Sequence, residues 1–376
     1  MRRALLLALL LSCPARAEVL VRWRTGPVPA RDVLGVTSLV VPAGGEIERA
    51  ARALGYRLYA EGDASLQIND TGKWPRIRSN VRSRRGQAVQ TASRTAQPWL
   101  DNNVALIRIL RAAGRRPVLG YPWKPDTQMD AAARPSAEDF HLAIAEAGAF
   151  GADLVLDLDA ASLDAWKAAR PTLDFYSASG AARREPITNV GVVTRDTEKW
   201  YEVLNLLARH NVPYRILQTA PAAAADLDLV VLLDPGSGSA LPAERVLLAG
   251  EDANDPNSFA LKVWNRLGRK GRWVDIWNGI TVLVDLTRKG AGVQLDAVNY
   301  SAGPLSVQSR VRGIYKRVEI ATPEHDPQPL SVEHVDAFTE FVIPELRVGA
   351  RVKFWGQATQ LPNARTVPHS RKSGTE

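Results

Sequence analysis

Apolar residues change their spacing twice along the chain, and the two changes divide it into three stretches. From Glu18 to about Tyr176, short apolar runs are separated by turns and a few amphipathic segments. Runs at 19–23, 37–41, 57–61, 66–68, 76–79, 98–101, 117–123 and 154–159 predict strands. Helices are predicted at 46–54, 103–113 and 137–147. In the second of these, Val104, Ile107, Leu110 and Arg111 follow the 3.6-residue period, flanked by Leu106. Eight strands with helices between only some of them predict a compact or eroded (β/α)8-like barrel over residues 18–180. A complete barrel takes about 250 residues, so an irregular α/β layer is the alternative.

From Pro186 the pattern is strand, amphipathic helix, strand, with apolar runs at 190–193, 214–217 and 229–233 and a helix at 198–209. That is the pattern of a small parallel sheet with crossover helices, a flavodoxin-like unit over 186–280. Segments 245–249, 259–267 and 272–276 are expected to complete it. From Thr281 the period falls to 2. Strands predicted at 281–286, 293–300, 306–312, 317–321, 332–335, 337–343 and 350–354, broken by Gly, Pro, Asn and Asp, point to a β-sandwich over 281–355. The polar, aperiodic stretch 356–376 is expected to be disordered.

Residues 1–17 are expected to be an export signal, with Arg2 and Arg3 as the charged start, Ala4 to Leu11 as the apolar stretch and Ala15-Arg16-Ala17 as the cleavage motif. Leu10-Leu11-Ser12-Cys13 is the rival, a lipoprotein box with Cys13 as the lipidated residue. The mature protein is expected to be periplasmic or extracellular, and no later run is long and apolar enough for a membrane-spanning helix. The formal charge of +8 loses three arginines with that leader and a net +2 with the tail, leaving the body near +3. This argues against a nucleic-acid partner, whose binders concentrate basic charge on one face. Cys13 is the only cysteine, so the mature chain has no thiol nucleophile, disulfide or Cys-ligated metal. His141, His325 and His334 lack metal-ligand spacing, and neither a metal nor a cofactor is expected.

Five sets of residues give the order of parts a likeness. The first unit carries Trp74-Pro75-Arg76-Ile77-Arg78-Ser79-Asn80, Gln97-Pro98-Trp99-Leu100-Asp101-Asn102-Asn103 and Phe150-Gly151-Ala152-Asp153-Leu154-Val155-Leu156-Asp157-Leu158-Asp159. The sandwich carries Asp296-Ala297-Val298-Asn299-Tyr300 and Phe341-Val342-Ile343-Pro344-Glu345-Leu346. The chain resembles secreted bacterial glycoside-hydrolase-like proteins with a TIM-type barrel, a glutamine-amidotransferase-like domain and a C-terminal β-sandwich. The β-galactosidase group with a trimerisation domain has the same order. The resemblance implies carbohydrate chemistry. It also makes the middle unit, which has no cysteine to serve as an amidotransferase nucleophile, a candidate surface for homo-oligomerisation.

Glycoside hydrolysis needs two carboxyl groups flanking the sugar, and in a barrel these stand at the C-terminal ends of strands. Alternation in 153–159 puts Val155, Asp157 and Asp159 on one face and the leucines on the other. Asp157 and Asp159 therefore point to the barrel axis if the leucines face the helices, although Asp159 is equally placed to cap the following helix. Glu61 and Asp101 end two other predicted strands and are candidates for the facing carboxylate, with a surface turn and an N-cap as their ordinary alternatives. Trp99, Tyr121 and Trp123 are the aromatic candidates for a sugar platform, Trp123 foremost. Arg78 and Asn80 belong to a basic run from Lys73 to Arg85 that could orient hydroxyl or acidic groups, or simply be solvated. In the loop 234–239, Gly236-Ser237-Gly238-Ser239 lacks the lysine and spacing of a phosphate loop and reads as a plain connection. Two functions follow: an exported hydrolase acting on a polysaccharide or oligosaccharide by carboxylate acid/base chemistry, or an inactive relative that binds glycan or a protein partner.

Overall fold

The computed structural model describes residues 18–77, 81–84, 87–90, 99–123, 134–178, 185–223, 226–234, 236, 239–289 and 292–357. Five strands form a parallel sheet in the spatial order Arg57–Ala60, Ser38–Val41, Val19–Trp23, Asp153–Leu158, Val118–Gly120. The first strand thus lies between the second and the last, with Val21 opposite both Leu39 and Leu156. A doubly wound sheet puts the strand that follows its reversal beside the first one. Pairing first with last is instead the adjacency that closes a barrel wall.

Among the described residues the wall does not close on its other side. The predicted strand at 66–68 does not form, and its neighbour Asn69 makes one isolated parallel bridge to Leu119. Arg76–Ile77 and Leu100–Asp101 pair antiparallel with each other as a two-stranded ribbon. The compact or eroded (β/α)8-like barrel expected from the sequence is, among the described residues, an open parallel arc of five strands. A central parallel strand needs a run of apolar residues to bury on both faces. The stretch from Leu66 to Ile77 is interrupted by Asp70, Gly72, Lys73 and Pro75, and Gln67 has a φ of +46°.

Both faces of the arc are covered. Val21, Trp23, Leu39, Val41, Leu154, Leu156 and Leu158 face the helices Val104–Ala112, Ala137–Phe150, Leu163–Ala168 and Arg170–Ala178. Leu20, Val40, Val118 and Val155 face the concave side, closed by Leu66 and Ile68. Each fully buried Val or Leu contributes about 1.5–3 kcal/mol, so the helix-facing row is the larger share of the stability.

The second sheet is parallel in the order Tyr214–Leu217, Val190–Val193, Leu229–Leu232, Val246–Leu248. This 2-1-3-4 arrangement is that of flavodoxin-like sheets. Helix Tyr201–Arg209 buries Val203, Leu204, Leu206 and Leu207 beneath it.

The C-terminal part is a sandwich of two antiparallel sheets. One holds Glu185–Pro186, Val282–Lys289, Gly292–Asn299, Gly349–Gln357, Tyr315–Thr322 and His325–Pro329 in that order. The other holds Val274–Trp277, Leu305–Arg312, Phe338–Leu346 and Val332–Val335. Leu295, Ile320, Val352 and Phe354 pack between them against Val307, Val311 and Ile343. One boundary moves: Val274–Trp277, expected in the middle sheet, pairs with Leu305–Arg312 instead.

Helix Ala137–Phe150 packs on the outer side of the larger sandwich sheet, where Leu283, Val298 and Tyr300 join the same core as the first two sheets. Every residue of Gly292–Asn299 is consequently buried. On that covered face the Arg351 side chain bonds Asp296 at 3.0 Å and lies over the ring of Phe175.

Candidate functional site

The leucines of Asp153–Leu158 face the helices and Val155 the concave side, which directs Asp157 into the arc. Opposite it in register stands Arg22. Arg22 Nη1 and Arg24 Nη1 each donate to an Asp157 oxygen at 2.8 Å, and Arg24 Nε donates to Glu61 at 2.6 Å. Asp70 completes the array at 3.4 Å from Arg22. The ends of strands Arg57–Ala60, Val19–Trp23 and Asp153–Leu158, with Asp70 from a turn, therefore hold an alternating network, Glu61–Arg24–Asp157–Arg22–Asp70. The two carboxylates outweigh the burial that works against the Arg24 charge, and its pKa stands above the ordinary arginine value.

Asp159 turns away from this array. Its carboxylate accepts from the Ser162 backbone N–H at 3.0 Å and the Ser162 hydroxyl at 2.8 Å, capping the 3-10 helix Ala160–Ser162, and pairs with Arg134 at 3.0 Å. Partial burial pulls its pKa up, but the Ser162 and Arg134 bonds prevail and hold it below the ordinary aspartate value. The capping alternative is the one observed, so Asp159 does not point to the axis as alternation alone implies.

Tyr121 requires a correction as a sugar platform. It is 2% exposed, and its hydroxyl donates to Glu146 at 3.0 Å, so no ring face is open to a ligand. Trp123 is half-buried against Trp74, with ring centroids 5.2 Å apart at 87°. Arg78 and Asn80 lie outside the described residues, as do the expected leader 1–17, residues 358–376, much of the basic run and Pro235, Ser237 and Gly238 of the 234–239 loop.

Trp99 and Asp101 come together elsewhere. A cavity of about 260 Å³ lies between the 99–102 segment and the first turn of helix Tyr201–Arg209, lined by both residues and by Lys73, Leu100, Asn102, Tyr201, Glu202 and Asn205. Asn102 Nδ2 donates to Asn205 Oδ1 at 2.9 Å, and Asn205 Nδ2 reaches Glu202 at 3.5 Å. Burial pushes the Tyr201 hydroxyl up to about 12, with the carboxylates of Glu146, Glu202 and Asp101 adding to the shift. Tyr201 therefore stays protonated at neutral pH and can donate a hydrogen bond.

Beneath this cavity is a group that sequence reasoning missed. Glu146 is fully buried, and four donors converge on it: the Asn103 backbone N–H at 3.1 Å, Asn103 Nδ2 at 2.6 Å, and the hydroxyls of Tyr121 and Tyr300. Burial pushes its pKa up, and the four hydrogen bonds pull against that shift. A signal was present in the sequence. Glu146 sits among Ala143, Ile144, Ala145 and Ala147 on a helix with no polar stripe, and a charge there must be buried with partners.

Among the described residues no three His, Cys, Asp or Glu side chains are gathered to hold a metal ion, and no helix is long and apolar enough to cross a membrane.

No family model and no curated protein sequence matches the chain. Among solved structures, α-L-fucosidase isoenzyme 2 from Paenibacillus thiaminolyticus superposes with a TM-score of 0.56 at 7% identity, over 91% of this chain and 100% of that one. The fold is glycoside-hydrolase-like. A rhamnosidase from Novosphingobium sp. PP1Y matches at TM-score 0.43 and 12% identity, over 84% of this chain and 38% of its own. A catalytic mutant of a GH42 β-galactosidase from G. stearothermophilus matches at TM-score 0.42 and 8% identity, over 87% of this chain and 65% of its own. The glycoside-hydrolase-like fold keeps the adjacency of first and last strands, with a wall that is open among the described residues.

Proposed function

We propose that this is an exported glycoside-hydrolase-like protein that binds glycan without cleaving it through its strand-end carboxylates. The observation that carries the reading is the arginine clamp. Hydrolysis needs one carboxyl held protonated as the acid and a second acting as base or nucleophile. Asp157 is bonded by two guanidiniums and Glu61 shares one of them, so their oxygens are engaged within the protein rather than presented as an acid and base pair. Asp159 serves as a helix cap. A carbohydrate ligand is supported by the fold shared with a fucosidase, and export by the charged, apolar and Ala-x-Ala order of residues 1–17.

One observation favours the rival hydrolase: Asp101 and Glu202 line a single cavity. The two readings separate in an assay of reducing-end release from neutral and acidic polysaccharides by residues 18–376. Asp157→Asn/Asp159→Asn and Asp101→Asn variants run in parallel with retention on the same polysaccharides. The expected result is retention without release. Release that disappears in either variant would establish hydrolysis and overturn the proposal.

A further inference from the structure

We propose that the outward face of the smaller sandwich sheet is the glycan site, with Trp277 as its platform, and that it takes a polysaccharide chain rather than a free sugar. The inference rests on the glycan-binding reading and gives it a location and a form of ligand.

Alternation sets the face. Val274, Ile276, Val307, Val311, Phe341 and Ile343 turn into the sandwich, so Trp277, Gln308 and Val342 turn outward. Register places these three in one row across Val274–Trp277, Leu305–Arg312 and Phe338–Leu346. Trp277 is the most exposed of the ten tryptophans, at 39%, and Val342 is 43% exposed. Beside that row Ser306 and Pro344 are exposed too. The mouth of the arc offers no comparable ring, since Tyr121 is buried and Trp123 packs on Trp74.

The platform is fixed before a ligand arrives. The Arg310 guanidinium lies over the indole, 5.3 Å from its centroid. Arg310 is itself buried, 4.5 Å from the centroid of Phe338, and its Nε donates to Asp275 at 2.6 Å. The turn after Trp277 is pinned as well. Asn278, with a φ of +49°, donates from Nδ2 to the Ser306 carbonyl at 2.9 Å and accepts from the Gln308 backbone N–H at 3.1 Å. A Cβ on Gly279 would come within 2.9 Å of the Ile276 side chain and 3.2 Å of Val307, so the turn sits directly on the sandwich interior. An aromatic ring held in this way loses little freedom on binding.

Surface chemistry selects the occupant. Trp277 and Val342 offer apolar surface to the C–H face of a sugar ring. Between them the exposed Gln308 amide can both donate to and accept from hydroxyl groups. A second copy of the chain would need about 800 Å² per partner, roughly 20–30 residues, which five exposed side chains do not supply. An open sheet face touches one side of a ring and encloses none. Affinity must therefore be summed over successive units, which a chain provides and a single sugar does not.

The test is affinity electrophoresis of residues 18–376 in native gels cast with hydroxyethyl cellulose, arabinoxylan, galactomannan or polygalacturonate, repeated with Trp277→Ala and Gln308→Ala. Thermal melts establish which variants are folded, and Gln308→Ala keeps the Trp277–Arg310 stack should Trp277→Ala fail to fold. The expected result is retardation by at least one polysaccharide, with the dissociation constant raised about tenfold or more by Trp277→Ala and less by Gln308→Ala. Retardation unchanged in every folded variant would overturn the location while leaving glycan binding intact. Relief of retardation by the constituent monosaccharide as effectively as by the same mass of soluble chain would overturn the form of ligand. A dimer in light scattering that is lost in Trp277→Ala would show that a second copy covers the face, and would overturn the platform. Absence of retardation in all four gels would overturn the glycan-binding reading itself, and the platform with it.

Discussion

Glu146 joins two parts of the chain through one carboxylate. Asn103 and Tyr121 come from the first unit and Tyr300 from the sandwich, and all donate to the same two oxygens. Removing the acceptor strands four buried donors, and each unsatisfied group costs about 1–3 kcal/mol. Glu146→Ala should lower the unfolding free energy by about 3 kcal/mol or more in urea titrations, and Glu146→Gln, which keeps the volume and one acceptor, by less. Equal and small effects would show that water replaces the carboxylate. Asp157 was legible from alternation because its strand is apolar on both sides. Its arginine partners were not, because Arg22 and Asp157 meet only through a pairing between strands 135 residues apart.

Individual elements followed the same division. Val190–Val193, Leu229–Leu232 and helix Val104–Ala112 lie within a residue of their expected places, because each carries its periodicity within its own length. His325–Pro329 was missed as a strand. It is a fully exposed edge carrying two prolines, which such an edge tolerates because some of its N–H groups have no ladder partner. The segment Val274–Trp277 looked like the end of an α/β unit, and only its antiparallel partner assigns it to the sandwich.

At this scale Asp159 gives a test of its capping role. Its folded pKa lies below the ordinary value of 3.8, so its stabilisation is present above that value and is lost as the pH falls through the folded pKa. Asp159→Asn should cost about 1 kcal/mol at neutral pH, trimmed by the solvent screening of a partly exposed pair. The difference from wild type should shrink as the pH drops below 3.8, read as urea midpoints across an acid series. A difference that is constant with pH would mean that the carboxylate charge is not what caps the helix.

For the whole molecule, the decisive fact is that the arc, the middle sheet and the outer side of the sandwich share one hydrophobic core. Arg108 adds to this by stacking on Tyr214 at 4.3 Å while bonding the Val212 carbonyl. Units with separate cores would unfold separately, whereas a shared core couples them. Far-UV circular dichroism and tryptophan fluorescence should therefore report a single coincident thermal transition for residues 18–376. Two resolved transitions would show that the sandwich, with its own interior, unfolds independently. The three stretches were visible in the sequence from their periodicities, but their fusion was not. The residues that achieve it, such as Leu283, Val298 and Tyr300, occupy the alternate positions of strands that otherwise read as ordinary two-sided β-structure.

The place of Val19–Trp23 at the centre of the arc also sets a clock. Its partner Leu154 is made 135 residues after Val19. At about 5–20 residues per second, synthesis needs roughly 7–27 s to supply the second neighbour of that strand. During that interval the apolar first strand has at most one side paired, and the sheet cannot lock. Under the export proposed above, such a delay would be useful, because the nascent polypeptide would remain threadable until its sheet could lock.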